Sequence, residues 1–210
     1  MKKISFFGVG LVTCVALAGC QSTNTATGTN TGTGVAANMA ATNTGVAGVN
    51  KPLLEALQTK NQGLSRTVLA DLPPSGSADY SGYAQIFGDG AVIPTTTKEV
   101  VGVAKLNVGF AGSGSMTGTV TDFDDSTGTY TGTLNVTGGS IAAGANGPEV
   151  TSAIEGQLTR SSGEVFDVSG NLTGGFLGAT GEYLNGANKV TVTSGGQSAV
   201  TDLTLNAERD

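Results

Sequence analysis

Asp122-Phe123-Asp124-Asp125 places three carboxylates within four residues, in a stretch rich in turn-forming types. Closely spaced carboxylates in a turn can hold Ca2+. This run lacks the flanking helix of a calcium loop and its twelfth-position Glu. The competing and better-supported reading is a solvated turn whose Asp side chains cap their own backbone. Tyr can hold haem iron, and Tyr80, Tyr83, Tyr130 and Tyr183 are the four tyrosines present. On strands, however, tyrosines usually pack or sit at barrel ends. The chain has no His, which removes the commonest general base and metal ligand at neutral pH. Ser and Thr are abundant, yet without His and with few Lys no nucleophile–base pair stands out. Gly112-Ser113-Gly114-Ser115 precedes no helix pattern and reads as a hairpin turn, not a phosphate loop. No catalytic residue, metal site or cofactor is expected, and the chain does not read as an enzyme.

The two cysteines lie in an export signal. Lys2 and Lys3 form a basic start, Phe6 to Leu17 an apolar core, and Leu17-Ala18-Gly19-Cys20 the end. A core this short, with small residues before the cut, is a secretory signal and not a spanning helix. Leu17-Ala18-Gly19-Cys20 resembles the lipobox of bacterial lipoproteins. That resemblance implies cleavage after residue 19, palmitate-type acylation of Cys20 and a stable anchor of two or more chains. An ordinary cleaved signal with an incidental Cys is the competing reading. Cys14 leaves with the signal, so the mature chain has no free thiol and no disulfide. By the same resemblance Gln21, where Asp would favour inner-membrane retention, favours the outer membrane.

Residues 21–50 carry no Asp, Glu, Lys or Arg and consist largely of Thr, Asn, Gly and Ala. Such a segment buries too little apolar surface to offset its ordering entropy. It reads as a disordered tether with an r.m.s. span of roughly 30 Å. Residues 51–76 form the next unit. Pro52 suits a first helical turn, Leu53, Leu54 and Leu57 make an apolar stripe, and Gly63 suits an end. This short helix is expected to pack on the following domain or to plug it.

Residues 77–210 alternate with period two, the strand signal. Tyr130, Gly132, Leu134 and Val136 alternate with Thr131, Thr133, Asn135 and Thr137, and Phe166, Val168, Gly170 and Leu172 with Asp167, Ser169 and Asn171. Turn chemistry falls at Gly112-Ser113-Gly114, Asp124 to Gly128, Gly144 to Pro148 and Ser161-Ser162-Gly163. About eight strands are expected: 78–88, 99–110, 114–123, 128–138, 151–160, 164–174, 178–192 and 198–207. The fold class is all-β, an antiparallel soluble β-barrel of about eight strands, preceded by a short helix. Aromatic residues make up 5% of the chain with no Trp, too few for the two girdles of a membrane barrel.

Gly174-Gly175-Phe176-Leu177-Gly178 through Glu182-Tyr183-Leu184-Asn185-Gly186 resembles a run near the end of the barrel in transferrin-binding protein B and related surface lipoproteins, among them factor H-binding protein. Gly174, Gly175, Phe176, Gly178, Glu182, Leu184 and Gly186 match; Leu177 replaces an aromatic, Ala179 a Pro, Gly181 an Ala and Asn185 a Gly. Asp79 to Ala84 and Ala104 to Phe110 resemble early strands of the same barrels. The likeness spans roughly 77–207 and implies a structural role for the motif: glycines for tight turns, Phe176 as a core plug, Glu182 bonding backbone amides. It implies the fold and a surface-lipoprotein class, with iron or nutrient acquisition as its setting. Transferrin itself is not implied, because its recognition takes a larger, bilobed chain.

Net charge is −6, and −8 once Lys2 and Lys3 are removed, with no basic stripe. Nucleic acid is therefore a poor partner. The expected product is a monomeric, lipid-anchored outer-membrane protein, facing periplasm or exterior. Its barrel loops near 89–98, 124–127, 144–149 and 194–198 would meet a protein partner. A structural envelope lipoprotein and a lipocalin-type carrier are the alternatives.

Overall fold

The computed structural model describes residues 47–88, 92–93 and 99–210. The expected signal, Cys20 and most of the tether lie outside the described residues, as does most of the 89–98 loop.

Helix α1 spans Asn50–Asn61. The strands are β1 (Ser77–Phe87), β2 (Glu99–Gly109), β3 (Ser115–Asp124), β4 (Thr129–Gly144), β5 (Gly147–Arg160), β6 (Val165–Leu177), β7 (Tyr183–Ser194) and β8 (Gln197–Arg209). Each pairs antiparallel with its neighbour, and β1 pairs with β8 to close an eight-stranded barrel. The alternation read from sequence sets the faces. Leu134, Val136, Ile154, Leu158, Phe166, Val168 and Leu172 are buried in one continuous interior core. Asn135, Glu155, Gln157, Asp167, Lys189 and Asp202 are exposed on the outer wall. Apolar inside and polar outside is the reverse of a membrane-spanning barrel.

Eight strands close at a radius that side chains just fill, and the tight curvature falls on inward glycines. A Cβ on Gly156 would sit 2.0 Å from the Thr133 carbonyl oxygen, and one on Gly132 2.1 Å from that of Gln157. Leu134 pairs with Gly156, and Gly156 with Val168, so large side chains flank the gap that each glycine leaves. At the seam, Gly82 lies between Ala104 on β2 and Ala207 on β8.

β4 and β5 run longer than their alternation suggests, to Gly144 and from Gly147. The pattern is interrupted by a bulge between Thr137 and Ser140, where β4 carries one residue more than β5. Gly138 and Gly139 make the bulge, and the buried Ser152 hydroxyl lies 3.0 Å from the carbonyls of Met116 and Thr137, holding it shut. The segment 144–149, expected as a loop, is therefore a tight hairpin around Ala145 and Asn146. β7 begins five residues later than expected, because 178–182 form the turn that leads into it.

Helix α1 does not plug the barrel; it lies on the outer wall. Leu54 and Leu57 pack with Tyr83, Val101 and Val103 in a cluster separate from the interior. Tyr83 is opposite Val103 across the β1–β2 ladder. Hence β1 and β2 are largely buried on both faces over 80–86 and 100–104, where period two fades. Two residues between β1 and β2 do join the interior core: Val92 and Ile93, 7% and 4% exposed.

Gly82→Ala tests the seam. The added Cβ would lie 2.0 Å from the Asn206 carbonyl oxygen and 2.5 Å from the Ala207 Cα. Urea denaturation should show a loss on the order of 1–3 kcal/mol, against less than about 0.5 for the exposed Thr131→Ala. Equal effects would mean that β1 and β8 are not tightly apposed.

Candidate functional site

The Asp122–Asp125 run lies where α1 meets the rim of the barrel. Asp122, at φ 52°, is a residue in the left-handed region that Asp tolerates, and the β2–β3 and β3–β4 registers both shift around it. That conformation turns the Asp122 carbonyl outward, where the Asn50 amide Nδ2 donates to it at 2.6 Å and to the Val101 carbonyl at 2.9 Å. Asp124, 1% exposed, accepts from the Val49 and Asn50 backbone N–H groups at 2.8 and 3.2 Å. A carboxylate at a helix N-terminus satisfies orphan amides and opposes the positive end of the helix dipole. Here the cap comes from 74 residues away in sequence.

Asp125, 4% exposed, organises the adjoining turn. One oxygen accepts from the backbone N–H of Gly128 at 2.8 Å and from the backbone N–H and hydroxyl of Thr127 at 2.5 and 2.6 Å. The other accepts the Tyr130 hydroxyl at 2.7 Å and faces Arg160 at 3.4 Å. Arg160 also lies over the Tyr130 ring, 5.8 Å from its centre. The turn is thus capped by Asp, as the competing reading holds; the Asp124 and Asp125 side chains are buried, while Ser126 and Thr127 stay exposed. Among the described residues, no three acidic or other metal-ligating side chains converge on a point that could hold a metal.

The tyrosines are similarly engaged. Tyr80, 1% exposed, donates to the Gly181 carbonyl at 2.6 Å. Burial pushes its hydroxyl up to about 12. Tyr83 lies beneath α1, with its pKa raised by burial and then by Asp124. Tyr183 donates to Glu208 at 3.3 Å, with its pKa raised by burial and then by that carboxylate.

The glycine-rich run of β6 and β7 serves a strap. Phe176 is fully buried against Tyr80 and Phe110, with ring centres 6.3 and 6.0 Å away. Glu182 accepts from the backbone N–H and hydroxyl of Thr180 at 3.0 and 3.2 Å, and the Thr180 amide holds its carboxyl below the ordinary value. Gly178 bridges β6 to the turn at φ +89°. Gly174 faces Gly186 in the β6–β7 ladder. The remaining glycines receive residues 65–72. A Cβ on Gly175 would meet the Arg66 guanidinium at 2.0 Å, and one on Gly181 the Leu72 side chain at 2.8 Å. Arg66 bridges to Leu177, and the Thr67 N–H donates to the Phe176 carbonyl at 3.0 Å.

Between the C-terminal half of α1 and the outer wall of β7 and β8 lies a cleft of about 540 Å3. Gln58, Asn61 and Gln62 line it from the helix, and Asn185, Thr204 and Asn206 from the wall. Outside the lining, Lys60 at the end of the helix pairs with Glu208 at 3.0 Å. Asn61 is 7% exposed, and neither amide atom has a hydrogen-bond partner in the chain among the described residues. Such a group costs about 1–3 kcal/mol when left unmet. The available signal was the buried stripe of α1, Asn50, Leu54, Leu57 and Asn61, with an amide at each end of a leucine pair. Asn50 is matched to carbonyls, whereas Asn61 lines the cleft with its amide atoms buried. Of the expected partner loops, 194–198 is the short β7–β8 hairpin, and 124–127 is the Asp125 turn.

No protein-family model, curated protein or solved structure matches the chain.

Asp124→Ala leaves the first amides of α1 without their cap. Stability should fall by about 1–2 kcal/mol, and hydrogen exchange should rise in α1 before the barrel strands. Uniform exchange across both would separate Asp124 from helix docking. Tyr80 yields a pH test. Its folded pKa, about 12, lies above its ordinary 10.0, so its contribution is whole below pH 10 and declines as pH climbs toward 12. Tyr80→Phe should lower stability at pH 7 by about 1 kcal/mol and flatten the decline between pH 10 and 12. An unchanged alkaline slope would assign that loss to other groups.

Proposed function

We propose that this chain is a lipoprotein anchored through Cys20 in a bacterial outer membrane, whose barrel is a non-enzymatic, monomeric binding module that works through its outer surface. Leu17-Ala18-Gly19-Cys20 and the charge-free stretch that follows support the anchor. The likeness of Gly174 to Gly186 to the barrels of transferrin-binding protein B and its relatives supports the surface class. It leaves iron or nutrient acquisition as the setting.

The observation that carries the binding mode is the filled interior. The cavity among Ile86, Ile93, Tyr130, Phe166 and Val192 amounts to about 10 Å3, little more than one water-sized probe. A lipocalin-type carrier needs hundreds of Å3 there. Recognition is left to the outside, where the α1 cleft and a second hollow of about 370 Å3 beside Lys51, Glu99 and Ser126 open to solvent.

Cys20→Ser separates anchor from barrel. In the producing bacterium the parent chain should incorporate a labelled palmitate analogue and sediment with outer membranes. The variant should lose the label and leave that fraction while folding normally. A label retained by the variant would sink the anchor. A search with purified full-length mature chain for saturable partners among envelope and environmental molecules tests the module; a folded sample that binds nothing would favour a purely structural lipoprotein.

A further inference from the structure

We propose that the cleft between α1 and the β7–β8 wall is a binding site for a neutral saccharide, one or two sugar rings long. The inference rests on the binding-module reading and gives it a place and a ligand class. Its volume, about 540 Å3, falls within the ~300–1,000 Å3 of small-molecule sites.

The lining chooses the chemistry. Gln58, Asn61, Gln62, Asn185 and Asn206 are carboxamides, and each offers both donors and an acceptor. Sugar hydroxyls do the same, so each can be met by an amide in either sense. Among the described residues, no Arg or Lys lines the cleft, and the one charged lining group is the Glu55 carboxylate. An anion, such as a phosphate or a fatty acid headgroup, would find repulsion without a counter-charge. The apolar members, Leu177, Gly186 and Ala187, make only a small patch, enough for the C–H face of a ring and too little for an acyl chain.

Asn61 is the observation that points to a ligand. It is more than nine-tenths buried, it lines the cleft, and neither of its amide atoms has a hydrogen-bond partner among the described residues. Across from it Asn185 donates to the Asn206 amide oxygen at 2.9 Å, so that the wall amides hold a fixed orientation. An extended peptide, which also presents neutral donors and acceptors, is disfavoured by closure. The wall strands β7 and β8 are paired on both sides and offer no backbone edge for an added strand.

The test is an amide-resolved NMR titration of the mature protein with maltose and with N,N′-diacetylchitobiose. Glucose 6-phosphate, a neutral tetrapeptide and octanoate are the comparisons. Saturable shifts at the side-chain amides of Asn61 and Asn185 with at least one disaccharide are expected. Asn61→Ala should weaken that binding about tenfold. Gln58→Ala, on the exposed side of the helix, should weaken it less, and it keeps the test alive if Asn61→Ala folds poorly. No saturable shift with either disaccharide overturns the proposal, as does saccharide binding that shifts the loops and leaves the cleft unmoved. Shifts at the cleft with the peptide or octanoate alone overturn the ligand class. A different partner, captured equally by wild type and Asn61→Ala, would sink the cleft and leave the binding module standing.

Discussion

The pairing of β1 with β8 turns a sheet into a barrel, and the other features follow from the radius at which that happens. Interior side chains must fill a narrow core, and strands must coil sharply around it. Glycines at 82, 132 and 156 sit where a Cβ would strike the neighbouring strand's backbone. The β1–β8 ladder runs from Tyr80–Arg209 to Ile86–Leu203, shorter than the twelve-pair β7–β8 ladder. Closure is therefore held as much by packing of Ala84, Ile86, Leu203, Leu205 and Ala207 behind the seam as by hydrogen bonds across it. Closure also removes the free edges that would otherwise pair with other chains.

A filled core moves recognition to the outer wall, and the wall is not uniform. Around Tyr83, Val101 and Val103 on β1 and β2 it is apolar and covered by α1. Over β4 to β6 it is Thr, Asn and charge, open to water. The helix is held at both ends: at its start by Asp124, and at its end by the Lys60–Glu208 pair. Exposed pairs of that kind contribute little, typically under ~1 kcal/mol. The buried cap and the Leu54–Leu57 contact with Tyr83, Val101 and Val103 do more of the holding. The amide-lined cleft lies between the C-terminal half of the helix and the wall of β7 and β8.

The acidic turn and the glycine run share one logic. The acidic turn offers metal-ligand types in sequence and the glycine run a structural motif, and each is taken up by contacts within the chain. Asp124 accepts hydrogen bonds from the first backbone amides of α1, and Asp125 from backbone amides and hydroxyls with Arg160 beside it, which ties both carboxylates into the chain. Gly175 and Gly181 let Arg66 and Leu72 lie close on the barrel, so that residues 65–72 strap its wall rather than hang as a linker.

What the sequence by itself determined is the local physics: period-two alternation placed eight strands and their faces, glycine and Asp clusters placed most turns, and the Leu54–Leu57 stripe placed the helix. These depend on neighbours a few residues apart, and such spacing is visible in a string of letters. The extra length of β4 and β5 was hidden because the Gly138–Gly139 bulge shifts the phase of the alternation midway. The tertiary structure alone decided that α1 lies on the wall and not in the mouth, that Val92 and Ile93 join the interior core, and that Asp124 caps a helix far upstream. It alone set Asn61 opposite Asn185 and Asn206. Those contacts join residues separated by tens to more than a hundred positions, and they exist only because closure of the barrel fixes where each outward side chain must stand.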